Sequence, residues 1–228
     1  MYAFQHGIIA SSNGGANPLW DGLLAYYTAD NTPNDALGTY NGTLLNGATY
    51  GAGIINQGFI LDGVNDYVKY SGDVGITGDV SFSFWFEYTG TSQQGLIQSF
   101  NTRTLVNNTF NIHYSSNKLQ VQTKSSTGSF FTQASSTTLS ASTLYHIVVT
   151  YDSATEAVDI YINDSLDANS NYVHSNSTTS DFANGFDVGM RVTSLFLNGK
   201  MDEIGIWNRE LTSTEVTELY NSGSGLQY

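Results

Sequence analysis

The sequence predicts a two-sheet antiparallel β-sandwich with one short C-terminal helix. Three observations predict it. Apolar and polar residues alternate at period two in long runs such as Val80-Ser-Phe-Ser-Phe-Trp-Phe-Glu-Tyr88. Turn chemistry recurs between the runs, with 23 Gly and Asn-Gly pairs at 41–42, 46–47, 184–185 and 198–199, where both residues tolerate positive φ. Aromatic residues reach 13%, which suits half-buried strands and excludes a disordered chain.

The elements follow in order. Residues 1–18 end in Ser11-Ser-Asn-Gly-Gly-Ala-Asn-Pro18 and read as an arm and linker. The arm carries Tyr2, Phe4, Ile8 and Ile9 but no basic, apolar leader, so no secretory signal is expected. The sandwich is expected over 19–228. Gly22-Leu-Leu-Ala-Tyr-Tyr-Thr28 is its first strand. Phe59–Asp62 and Asp66–Tyr70 flank a turn at Gly63. In Val80–Tyr88, Phe82, Phe84 and Phe86 share one face and Trp85 takes the other. Lys118–Lys124 alternates too. Tyr145–Tyr151 and Ala157–Ile162 form a hairpin across 152–156. Phe186–Met190 and Lys200–Trp207 close the set. Thr212-Ser-Thr-Glu215 is a capping box, followed by Val216, Leu219 and Tyr220 at helical spacing and by Gly223 as a stop.

Composition excludes several functions. The chain has no Cys, so disulfides, thiol nucleophiles and Cys-bound zinc are ruled out. Twenty acids oppose seven bases, a net charge of −13. That balance argues against nucleic-acid binding and against docking on anionic lipid. No apolar run approaches the ~20 residues of a membrane span.

The segments, taken in order, resemble a family. They are Gly22-Leu-Leu-Ala-Tyr-Tyr, Tyr40-Asn-Gly-Thr43, Gly58-Phe-Ile-Leu-Asp-Gly-Val-Asn-Asp-Tyr-Val68 and Val80-Ser-Phe-Ser-Phe-Trp-Phe86. Then come Tyr145-His-Ile-Val-Val-Thr-Tyr-Asp152, Val158-Asp-Ile-Tyr-Ile-Asn163 and Gly199-Lys-Met-Asp-Glu-Ile-Gly-Ile-Trp-Asn-Arg-Glu-Leu211. Over about residues 20–222 this resembles the laminin-G-like domains of the concanavalin A-like lectin/glucanase superfamily. The resemblance implies a jelly roll of two curved sheets, carbohydrate binding or adhesion, and often a bound calcium.

Each candidate chemistry has a test in the sequence. Glycoside hydrolysis needs two carboxylates across the scissile bond. Asp202 and Glu203 are adjacent and should point to opposite faces of a strand, so no pair is expected and the protein reads as no enzyme. His146, inside an apolar strand, reads as a packing residue. Calcium has better candidates. Asp30 follows the first strand and Asp202 lies in the last, which a sandwich brings together; the resemblance places a structural calcium there, with Asn41 and Gly42 adding oxygens. The alternative is that Asp30 caps a turn and Asp202 bonds to backbone. Sugar recognition calls for exposed rings beside amides. Trp85, Tyr114 and Tyr172 are the ligand-binding candidates, and 101–117 and 163–180 the expected variable loops.

The resulting expectation is a non-enzymatic virion surface protein, a capsid decoration or a tail or head fibre component. Residues 1–18 would hold it to other virion proteins, and its lectin-like domain would bind a glycan on a host surface. A homo-oligomer is compatible with that setting. Alternatives are a purely structural virion subunit with no ligand and a secreted bacterial carbohydrate-binding module.

Overall fold

A computed structural model describes residues 17–76, 78–90, 92–99, 110–125, 127–175, 182 and 184–228. The strands begin with β1 (Leu23–Tyr27), β2 (Gly42–Leu45), β3 (Thr49–Ala52), β4 (Gln57–Asp62), β5 (Tyr67–Ser71) and β6 (Val80–Tyr88). They continue with β7 (Gln94–Ser99), β8 (Phe110–Ser115), β9 (Lys118–Lys124), β10 (Phe130–Ala134), β11 (Tyr145–Asp152) and β12 (Ala157–Ile162). The last are β13 (Ser165–Leu166), β14 (Tyr172–Val173), β15 (Gly185–Val188), β16 (Met190–Arg191), β17 (Leu195–Phe196) and β18 (Asn198–Trp207), before helix α1 (Ser213–Tyr220).

Two antiparallel sheets form a sandwich, as expected. The first runs β13-β12-β11-β6-β18-β4-β3, with β1 also paired to β18 and β14 to β12. The second runs β10-β9-β8-β7-β15-β5-β2. The period-two rhythm sends Phe82, Phe84, Phe86, Ile147 and Val149 inward from the first sheet to meet Ile112, Val121, Phe186 and Val188 from the second. The Asn46-Gly47 pair makes the β2–β3 turn with φ of 63° and 132°. The Asn198-Gly199 pair instead opens β18, where Gly199 pairs with Tyr88. Segment 101–117, expected as a loop, holds β8 at 110–115; 101–109 lies outside the described residues.

The outer face of the first sheet is roofed by α1. Thr212 and Glu215 cap it reciprocally. Val216 and Leu219 pack on Leu19, Tyr26, Val148 and Trp207 in a second apolar cluster. Arg209 fastens this layer: it pairs with Glu215 at 2.6 Å and donates to the carbonyls of Pro18, Leu19 and Asp21. Asn17 donates to Glu218 at 2.7 Å. Asn17 and Pro18 are thereby tied to α1 and to Arg209. Residues 1–16, the rest of the proposed virion anchor, lie outside the described residues.

The outer face of the second sheet is crossed by the β16–β17 hairpin. Gly95 permits the crossing: a Cβ there would stand 2.2 Å from the Met190 carbonyl carbon and 2.3 Å from the Arg191 nitrogen.

Candidate functional site

The first and last strands do bring Asp30 and Asp202 near each other, together with Glu203. Glu203 has φ of 49° and sits in a bulge of β18 between Asp202 and Gly205. Met201 and Ile204 both face the core. Asp202 and Glu203 therefore lie on the same outer face, contrary to the parity expected of neighbours in a strand. Both are buried.

Each acid is already engaged by N–H donors. Asp202 accepts from the backbone of Ile54, Ile55 and Glu203. Asp30 accepts from the Gln57 backbone at 2.9 Å and from the side-chain amides of Asn56 and Gln227. The Gln227 amide also reaches Glu203 Oε1 at 3.1 Å. Burial pushes Asp202 up to about 7 against the pull of its three backbone donors. Burial, with Asp202 and Asp30 nearby, pushes Glu203 up to about 9. Tyr26 Oη lies 2.5 Å from Glu203 Oε2 and 2.9 Å from the Leu226 carbonyl. A hydroxyl carries one proton, so a protonated Glu203 that donates to Tyr26 leaves Tyr26 free to serve Leu226.

This donor set does not fit the expected calcium. A cation needs oxygens turned towards it, and here N–H groups occupy them. Asn41 and Gly42 are directed elsewhere: Asn41 Oδ1 accepts from the Asp35 backbone, and Gly42 opens β2 in the other sheet, beneath the Tyr70 ring. Among the described residues no group of three His, Cys, Asp or Glu is placed to hold a metal. Asp202 bonds to backbone as in the alternative reading, while Asp30, read there as a turn cap, accepts from Asn56, Gln57 and Gln227.

The predicted sugar-stacking rings also move. Trp85 is 4% exposed, stacked on Tyr220 at 5.7 Å beneath α1. It faces away from the main core as expected, but the helix covers it. Tyr114 is a core residue, 3.9 Å from the Tyr88 ring, with its hydroxyl donating to Asn117. Its segment is a strand, so period two sends it inward with Phe110 and Ile112. Tyr172 alone of the three is exposed, edge-on to His174. His146 packs tilted against Trp85, bonds Ser83 at 2.9 Å, and is held down at about 3 by burial.

Two sites missed by the sequence stand out around β16–β17. One is a cleft of about 420 Å³ at the sandwich rim, between residues 89–90 and 92–94, Gly63, residues 194–196 and Asn198. Its lining is uncharged: Ser92, Gln93, Ser194 and Asn198 supply hydroxyls and amides, and Leu195 and Phe196 supply apolar surface. Gln94 sets the rim, accepting from the Asn198 backbone at 3.0 Å and donating to the Thr89 carbonyl at 2.7 Å.

The other is a polar row across the outer face of the second sheet. Strand register aligns Thr132, Gln122, Asn111, Gln98, Asp187, Lys69 and Thr43 side by side. Gln98 accepts from the Val192 backbone at 2.7 Å, which pins the hairpin to this row. Gln122 was visible in the sequence as the polar half of an alternation, whereas Asn111 lies in a segment expected as a loop. What was not visible is their lateral alignment, which long-range register decides.

Three comparisons bear on the chain. A family model described as the laminin G type of the concanavalin A-like lectin/glucanases superfamily matches residues 62–217. No curated protein matches the sequence. Among solved structures, domain 4 of a GH43 extracellular arabinanase from Geobacillus stearothermophilus, in complex with arabinotriose, is similar at TM-score 0.67 and 19% identity over 86% of this chain and 97% of that one. The binding domain of Paraclostridial Mosquitocidal Protein 1 is similar at TM-score 0.72 and 17% identity, over 90% of this chain and 53% of that one. The botulinum neurotoxin D ligand binding domain, in complex with N-acetylneuraminic acid, is similar at TM-score 0.66 and 12% identity, over 89% and 51%. The chain spans about half the length of these toxin domains. At such identities the likeness is one of fold.

Proposed function

We infer the function from the premise that this chain belongs to the concanavalin A-like lectin/glucanase superfamily, as a laminin G-type domain. We propose that it is a non-enzymatic glycan-binding module. The observation that carries this is the rim cleft. Its volume of about 420 Å³ suits a mono- or disaccharide, and its uncharged lining pairs Phe196 with the Asn198 and Gln93 amides. A sugar presents an apolar C–H face and a fringe of hydroxyls, which such a wall can match. The buried acids Asp202 and Glu203 do not serve hydrolysis in this reading. Asp202 accepts from the backbone of Ile54 and Ile55, and Glu203 from the side-chain amide of Gln227.

Two settings follow. The acidic, cysteine-free chain with its N-terminal arm suits the surface of a viral particle, with glycan adhesion to a host. A specific observation favours a second setting: the arabinanase domain 4 is matched over 97% of its length, which suits a secreted accessory module that holds a polysaccharide for a separate catalytic domain. In either setting affinity would grow with the number of copies displayed.

Titration calorimetry or saturation-transfer NMR with lactose and arabinotriose tests the cleft. Binding should weaken at least tenfold in Phe196→Ala and in Asn198→Ala while melting stays cooperative. A folded protein that binds no neutral glycan of a broad array would leave only an architectural role.

A further inference from the structure

We propose a second binding site, distinct from the rim cleft, in which Arg191 on the outer face of the second sheet receives the carboxylate of an acidic sugar, a sialic or uronic acid.

Arg191 is 7% exposed, and its partners are neutral. Its Nε donates to Asn111 Oδ1 at 3.0 Å and its Nη2 to Gln122 Oε1 at 2.7 Å. Among the described residues it pairs with no acid, and Nη1 bonds to nothing in the protein. A buried guanidinium without a counter-charge is costly, and its planar fork is shaped for a carboxylate. Beside it, Asn111 Nδ2 and His113 Nδ1 are buried and unpaired. The Arg191 bond fixes the Asn111 amide with its oxygen towards the guanidinium, so the orphan nitrogen is a donor. His113 Nε2 faces Gln120 Oε1 at 3.1 Å, so its Nδ1 is an acceptor. Arg191 Nη1 is thus the donor left for an anion, with the unpaired Asn111 Nδ2 and His113 Nδ1 buried beside the guanidinium.

The surroundings point the same way. Next to Gln122 the face opens onto exposed Thr132 and the half-exposed Phe130 ring, which lies 4.9 Å below Lys124 Nζ. Four of the chain's seven bases, Lys69, Lys118, Lys124 and Arg191, lie on this face. Asp187 is the one acid that the strands of this sheet carry. In a chain of net charge −13, that segregation makes one side of the molecule attractive to anions.

The test is calorimetric titration with 3′-sialyllactose and trigalacturonate, against lactose and arabinotriose as neutral probes. The full chain should bind at least one acidic probe, and added salt should weaken that binding. Arg191→Gln should weaken it at least tenfold and leave the neutral probes unchanged, while Arg191→Lys retains part of it. Asn111→Asp supplies the missing counter-charge within the fold, so it should raise the melting temperature and abolish acidic binding. Acidic probes that bind no better than neutral ones would overturn the second site and leave the cleft standing. Undiminished acidic binding in folded Arg191→Gln or Asn111→Asp would overturn it too. Loss of neutral binding alone in Phe196→Ala would locate the two sites separately.

Discussion

Glu203 shows how one backbone angle reorders the chemistry of a strand. Its positive φ inserts a bulge, and two neighbouring acids then share a buried face. Protonation relieves the cost. The unfolded carboxyl titrates near 4.5 and the folded one near 9. Between those values the folded state holds a proton that the unfolded state has lost. Stability should therefore be highest below the lower value and decline as pH rises towards the upper one, by at most about 1.4 kcal/mol per pH unit. Asp202, raised from 3.8 to about 7, adds to the decline over the lower part of that range. Glu203→Gln keeps a donor for Tyr26 without a charge. Thermal melts from pH 5 to pH 9 should show a falling melting temperature for the wild type and a flatter, higher curve for the variant.

At the scale of elements, α1 matters for what it covers. Its cap is reciprocal, and substituting a capping Thr by Ala costs about 1 kcal/mol. Thr212→Ala should loosen the roof over Trp85 and Trp207. Urea melts followed by tryptophan emission should give an earlier, red-shifted transition than melts followed by far-UV circular dichroism. This helix was legible because its signals are local: the capping box and the 3.6 spacing lie within residues 212–220, although the left-handed C-cap is Asn221 and not the expected Gly223. Strands β6 and β9 were legible for the same reason, through period-two runs, and β11, β12 and β18 as apolar runs between turn residues. β8 was not, although Phe110, Ile112 and Tyr114 alternate with Asn111 and His113, because its polar half reads like the Ser- and Asn-rich segment before it. The candidate site was less legible still. Trp85 alternated correctly, yet nothing near it in sequence announced that Tyr220 would stack on it. The rim cleft joins residues 63, 89–90, 92–94, 194–196 and 198, and no local pattern links those segments.

At the scale of the whole molecule, charge is divided between the two layers. The strands of the first sheet carry Asp62, Glu87, Asp152, Asp159, Asp202 and Glu203 against Lys200 alone. The second sheet carries the opposite bias. A net charge of −13 on one sandwich works against compactness through self-repulsion. Raising sodium chloride from about 20 mM to about 0.5 M shortens the screening length from tens of ångströms to a few. The melting temperature should rise by a few degrees. An unchanged or lower value would show that the paired charges, not the net excess, dominate.

The aromatic packing of Trp20 against Trp207 and Tyr228 has a consequence for display. Asn17 and Tyr228 are both pinned on the roofed side of the sandwich, one by Glu218 and the other by Trp20. A tether attached at either place, whether to a bead, a fibre or an enzyme, would point the opposite layer away from its support. The orientation of the molecule on a carrier is thus set by the same indole stack that closes its back.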